Sequence, residues 1–239
     1  MRLVVGLSLT FILSPTFWAQ DTSALDAAQL QAIVSALNHK TLPVSGLVPR
    51  GFTKVAEAKG DLNQDGVDDM VLIVRKKSGS PDPAADEFLP QVVLLFLGDR
   101  TGMFRFWKIG AHHFVDNNPT FMSDGGVEQL AIVNGVLHIA SNTAVSIGTW
   151  YVNTCTQKWR NEKAGFRLIG LTAGEMHRGC GCGRASDTNY LTGDQILTDD
   201  RGPDMTRAKR PVRTRTKSAS RTILWEDFKF DSYCSVAEE

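Results

Sequence analysis

Ten residues, Gly60-Asp-Leu-Asn-Gln-Asp-Gly-Val-Asp-Asp69, commit this chain to a tight turn between two extended segments. Oxygen-bearing side chains recur at Asp61, Asn63, Asp65 and Asp69, and Gly66 stands where the backbone must reverse. Val55 to Ala58 enters as a strand and Met70-Val-Leu-Ile-Val74 leaves as one. Alternate residues of such a loop can point inward together. Six to eight oxygens at about 2.3–2.6 Å are what calcium requires. The spacing therefore marks Asp61, Asn63, Asp65 and Asp69 as candidate ligands of a hard divalent cation. The competing reading is an Asx-turn hairpin that binds nothing, because Asp, Asn and Gly are turn formers in their own right.

The flanking pattern separates this loop from two relatives. An EF-hand needs a bidentate glutamate at its twelfth position and a helix on each side. Counted from Asp61, the twelfth residue is Leu72, inside a β-type run. A dockerin-type loop fails at the same place. Asp-x-Asn-x-Asp-Gly-x-x-Asp followed directly by a strand resembles the calcium loops of FG-GAP and VCBS repeats, found in integrin α-subunit propellers and many bacterial exported proteins. That resemblance covers Gly60 to Val74. It implies that Asp61, Asn63, Asp65 and Asp69 give side-chain oxygens, Val67 its backbone carbonyl, and that Asp68 points outward. A propeller repeats its blade, yet no second copy occurs: Asp187-Thr-Asn189 begins alike and then has Leu191 at the next ligand position.

A longer, fainter resemblance runs through Pro49-Arg-Gly51-Phe52, Gly60-Asp-Leu-Asn63, Asn134-Gly-Val-Leu137, Phe166-Arg-Leu-Ile-Gly170, Asp187-Thr-Asn-Tyr-Leu-Thr-Gly193 and Trp225-Glu-Asp-Phe228. In that order these segments are similar to a family of uncharacterised bacterial periplasmic proteins and lipoproteins carrying one such loop. The resemblance implies a compartment and an architecture but no activity. The lipid-bearing cysteine is missing here.

The start of the chain reads as an export signal over residues 1–19. Arg2 is the positive n-region, Leu3 to Leu13 is apolar, Ser14-Pro-Thr16 breaks the run, and Ala19 is a candidate final residue. The apolar run is too short to span a bilayer comfortably. Residues 20–239 then form one β-rich domain in a periplasmic or secreted setting, with no stable membrane insertion. Ser23 to Asn38 reads as an amphipathic helix with a Ser23/Asp26 capping box and Leu30, Ile33, Val34 and Leu37 on one face.

After Pro43, short β-prone runs alternate with Gly, Asn and Asp. Strands are expected at Gln91–Leu97, Met103–Ile109, Leu130–Val133, Val136–Ala140, Gly148–Trp159 and Phe166–Gly170, with Ile223–Phe230 closing the fold. Asn134-Gly135 is a two-residue hairpin signal. The expected class is mainly β: an antiparallel sheet domain, partly propeller-like or sandwich-like, with one N-terminal helix.

Cys155, Cys180, Cys182 and Cys234 are even in number, as disulfides in an oxidising compartment require. Three pairings are open. A Cys180–Cys182 bridge closes a very small ring, which leaves bridges from this pair to Cys155 and Cys234 equally eligible. His177-Arg-Gly-Cys180-Gly-Cys182 also has zinc- or copper-type donors, without an evident fourth ligand. A redox pair at Cys180 and Cys182 is a further reading, without the usual βαβ surroundings.

Lys plus Arg equals Asp plus Glu at 26 each, so net charge selects no partner. Arg201 to Arg221 holds eight basic residues opposed by Asp204 alone. Its alternation with threonine reads as a solvated edge strand more than as a nucleic-acid or polyanion site. His112-His113, with Asp116 nearby, has no recognisable nucleophile beside it. The expectation is therefore a non-enzymatic exported binding protein with one structural calcium, of which an immunity or inhibitor protein for an exported toxin is one version. The alternative is an exported hydrolase of cell-wall or polysaccharide material, with Asp68 and Asp69 as its acid–base pair.

Overall fold

The computed structural model describes residues 25–81, 89–113, 123–145, 150–202 and 206–234. The expected leader, Ser23 and Asp116 lie outside them. Helix α1 (Ala27–Leu37) begins later than the expected Ser23 boundary, because Asp26 is itself the N-cap. Its Oδ1 accepts from the Gln29 N–H at 2.7 Å, and Gln29 Oε1 accepts from the Asp26 N–H at 3.2 Å. That reciprocal pair satisfies two amides the first turn leaves over. Ile33 and Leu37 are buried beneath it.

Among the described residues, all strands pair antiparallel in two sheets. The first contains β1 (Thr41–Leu42), β2 (Phe52–Gly60), β3 (Asp69–Lys76), β4 (Gln91–Gly98) and β5 (Phe104–Gly110), in the order β1-β5-β4-β3-β2. The second contains β6 (Ser123–Val133), β7 (Val136–Val145), β8 (Tyr151–Glu162), β9 (Gly165–His177), β10 (Cys182–Asn189), β11 (Asp194–Arg201) and β12 (Arg207–Lys217). These follow one another in sequence order across a sheet that curls into a half-barrel. The mainly β, antiparallel class with one N-terminal helix is thus what the chain forms.

The apolar runs of β3 and β4 are continuous because both faces of this sheet are covered. Val71, Ile73, Val93 and Leu95 point toward the second sheet and join Leu137, Ile139, Trp159, Phe166 and Leu168 in one core. Their alternates Met70, Leu72, Val74, Val92, Leu94 and Phe96 point the other way and pack with Ile33 and Leu37 of α1 in a second core. The pleat has period two, so a strand between two layers must be apolar at every position. Each such aliphatic side chain contributes about 1.5–3 kcal/mol.

Ile223–Phe230 does not form the expected closing strand. Only Leu224 bridges to Arg167, and Leu168 N–H donates to the Ile223 carbonyl at 2.9 Å. Trp225–Asp227 then turns as a 3-10 segment, followed by the short α2 (Phe230–Tyr233). Trp225 and Phe228 lie three residues apart, which places both rings on one side of the turn and into the core. The segment closes the fold as an aromatic plug.

Candidate functional site

The acidic loop joins β2 to β3 and turns through Gln64 (φ 62°) and Gly66 (φ 82°), both left-handed. Gly66 carries that conformation at little cost, whereas Gln64 needs help from its surroundings. The neighbouring side chains supply it. Asp61 Oδ1 accepts from the Asp65 N–H at 3.1 Å, and its Oδ2 accepts from the Gly66 N–H at 2.9 Å. Asn63 Oδ1 lies 3.0 Å from the same Asp65 N–H, while Asp65 Oδ1 takes the Val67 N–H at 2.8 Å. Asn63 Nδ2 donates to Asp65 Oδ2 at 2.8 Å. Asp61, Asn63 and Asp65 therefore converge on one turn.

Asp69 serves the turn from the other side. Its carboxylate is buried; Oδ2 accepts from the N–H groups of Leu62 and Asn63 at 2.8 and 3.2 Å, and Oδ1 accepts from Gly98 at 2.9 Å. Burial, reinforced by the negative charge of Asp65, raises the Asp69 pKa above the ordinary carboxylate value, against the three backbone bonds that lower it. Gly98 has to be glycine, because a Cβ there would run into the Asp68 carbonyl. Asp68 itself points outward and pairs with Lys59 at 3.1 Å.

The donor set of Asp61, Asn63 and Asp65 is all oxygen at the loop and suits a hard cation chemically. Asp69 accepts from three amides and feels the charge of Asp65. Among the described residues, no three His, Cys, Asp or Glu side chains converge as a metal site. The loop also sits at the junction of the two sheets. Leu62 is fully buried in the shared core, a Cβ at Gly60 would meet Ile132, and one at Gly135 would meet Gln64.

The cysteines pair as Cys155–Cys234 and Cys180–Cys182. Bridges from the Cys180/Cys182 pair to the other two cysteines, which the spacing left open, do not form, and strand register explains why. Cys155 on β8 stands opposite Ala173, whereas Cys182 stands opposite His177, four residues further along β9. At roughly 3.3 Å per residue that is about 13 Å, beyond disulfide reach. Cys234 instead packs with Cys155 in the core.

His113 lies in the bend that follows β5. It is buried, stacks on Trp225 with ring centroids 3.6 Å apart, and places Nδ1 3.0 Å from Gln157 Oε1. Desolvation lowers its pKa to about 4. The basic segment is a solvated edge strand as its pattern suggested: β12 ends the seven-stranded sheet, and Arg210, Arg213, Arg215 and Lys217 are exposed. Arg215 pairs with Asp194 at 3.2 Å. Missing from the sequence reading are Gly98, for which a glycine ending an apolar strand was the only signal, and Trp150, 67% exposed and stacked on His177. No helix among the described residues is long and apolar enough to cross a membrane.

Comparison with protein-family models, with curated proteins and with solved structures finds no match.

Proposed function

We propose that this chain is an exported, non-enzymatic binding protein braced by one calcium ion in the loop of residues 60–74. Asp61, Asn63, Asp65 and Asp69 would hold the ion, with Val67 lending its carbonyl as in FG-GAP and VCBS loops. Calcium supplies positive charge at a turn crowded with carboxylates, and Asp69 anchors that turn to β4. Because the loop touches both sheets, fixing it braces the whole domain.

One observation carries the binding role. Apart from Cys182, strands β10, β11 and β12 contribute none of the buried residues among the described side chains. They end the second sheet, and of the eight exposed large hydrophobics among the described residues, Trp150, Met176, Leu191, Ile196 and Val212 lie on or beside strands β8 to β12, Val212 on the opposite face of the sheet from Ile196. A domain that builds three strands without burying them presents surface, and exposed apolar residues on such surface mark recognition sites. The favoured partner is an exported protein, an immunity or inhibitor role toward a toxin being the most concrete version.

A photoreactive residue placed at Ile196 or Val212 should capture one discrete protein from the exported fraction of the producing cells. The same probe at Val44, exposed on the opposite side, should capture none. Equal capture at both positions, or none at either, would remove the binding surface assigned here.

A further inference from the structure

The two disulfides differ in what they do for the fold. Cys155–Cys234 spans 79 residues inside the core, whereas Cys180–Cys182 spans two and lies at the turn between β9 and β10. A ring of that size removes little entropy from the unfolded chain. The hairpin it sits on is already fixed by an unbroken ladder from His177↔Cys182 to Gly170↔Asn189 and by the Arg184–Glu175 ion pair at 3.6 Å. Stability therefore gives no account of this bond.

Its surroundings do. Cys180 is only partly buried, while Cys182 is 0% exposed. The Cys182 N–H donates to Cys180 Sγ at 3.3 Å, and His177 Nδ1 lies 3.6 Å from the same sulfur. The Gly179 N–H donates to that nitrogen at 3.2 Å, so Nδ1 is a basic acceptor and takes a proton only by giving up this bond. Trp150 stacks on one side of His177, with centroids 6.1 Å apart, and Tyr151 meets its ring edge-on at 5.1 Å. One reachable sulfur thus has a backbone donor and an imidazole directed at it, and the other is out of reach. A thiolate beside an N–H donor is stabilised, and a basic imidazole nitrogen beside the thiol can take its proton.

We propose that Cys180–Cys182 is a thiol–disulfide exchange site acting on polypeptide dithiols, with Cys180 as the attacked sulfur. One substrate thiolate bonds to Cys180 Sγ, the Cys180–Cys182 bond breaks, and Cys182 leaves as a thiolate that takes up a proton. The second substrate thiol, once deprotonated, attacks the substrate sulfur of the mixed disulfide. Cys180 then leaves as a thiolate stabilised by the Cys182 N–H and His177, and is protonated in turn. The substrate loses two electrons and two protons and becomes a disulfide; the protein gains both as two thiols. The exposed Trp150 gives an unfolded or flexible chain an apolar surface beside the reacting sulfur.

The test uses the intact oxidised protein and a reduced peptide containing two cysteines. One equivalent of peptide disulfide should form per protein, with Cys155–Cys234 retained and the far-ultraviolet spectrum unchanged. In the selectively reduced protein, Cys180 alkylation by iodoacetamide should titrate at least one pH unit below 8.5. His177→Ala should move that midpoint back toward 8.5 at unchanged melting temperature, and Cys182→Ser, offered the same peptide in its disulfide form, should attack it through the Cys180 thiolate, release one peptide thiol and hold the peptide on Cys180 as a mixed disulfide. The proposal is overturned if the bridge opens only together with Cys155–Cys234, if no mixed disulfide accumulates in Cys182→Ser, or if His177→Ala leaves the alkylation midpoint in place.

Discussion

At the residue scale, the most consequential single group in the core is His113. Its Nδ1 faces Gln157 Oε1, an oxygen that only accepts, so Nδ1 carries the proton of a neutral ring. Gln157 is held in that orientation because its Nε2 donates to the His113 carbonyl at 2.8 Å and its Oε1 also accepts from Trp159 Nε1 at 3.1 Å. Trp225 and Phe228 stack on the ring, and Trp159 meets it edge-on. The charged groups that bear on it are His112, which opposes protonation, and Glu226, which favours it weakly; burial outweighs both. A folded pKa of about 4 against 6.5 means that the unfolded chain binds the proton more tightly. Stability is therefore intact above about pH 6.5, falls as pH drops toward 4, and levels below that, a loss of roughly 3 kcal/mol from this residue. His113→Phe keeps a stacking ring and leaves Gln157 Oε1 bonded to Trp159. The urea midpoint of that variant should fall less than wild type between pH 6.5 and 4, by close to that amount; identical pH profiles for the two proteins would refute the assignment.

At the scale of the element, the β2–β3 hairpin separates two jobs that its spacing alone ran together. Asp61 and Asp65 shape the exposed turn, whereas Asp69 ties it to β4 by accepting from three amides. Saturating calcium, at about a hundred times its dissociation constant, should stabilise by roughly 2.7 kcal/mol, or about 5–10 °C in melting temperature for a domain of this size. Asp61→Ala with Asp65→Ala should abolish that rise. Asp69→Asn should instead cost roughly 1–3 kcal/mol even in EDTA, because an amide carries one acceptor oxygen for three donors. A melting curve that does not move between millimolar calcium and EDTA would sink the calcium reading. The turn spacing was legible because it is local; the bond from Gly98 to Asp69 was not, because Gly98 lies 29 residues away. The same contrast runs through the strands. Met70–Val74 and Gln91–Leu97 announced themselves since burial on both faces demands unbroken apolar sequence, and Asn134-Gly135 did so since both residues take positive φ. Strands β10 and β11 gave no such signal: Arg184–Asn189 and Asp194–Arg201 are held by ladder hydrogen bonds at an unburied sheet extension, where no hydrophobic alternation is required.

At the scale of the whole molecule, the chain is closed by its last described segment. Ile223, Trp225, Phe228 and Phe230 fill the core between the sheets, Trp225 Nε1 donates to the Ile109 carbonyl at 2.8 Å, and the Phe230 N–H donates to the His112 carbonyl at 3.0 Å. The plug therefore touches both sheets without being a strand of either. Sequence pattern alone misassigned it, because an apolar, aromatic run reads alike whether its rings fill a pleat or a gap. What fastens it covalently is Cys155–Cys234, and closing a loop of that length removes unfolded-state entropy worth about 4–5 kcal/mol. Cys155→Ala with Cys234→Ala should lower the melting temperature by roughly 10–15 °C and shift Trp225 emission to the red on mild warming, as the plug leaves before the sheets part. Cys180→Ser with Cys182→Ser should lower the melting temperature by only about 3–6 °C, since its short ring constrains little. The two double variants measured side by side decide whether the bridges divide their labour, one holding the fold and the other free to react. Equal destabilisation by both would show that the turn bridge is structural after all.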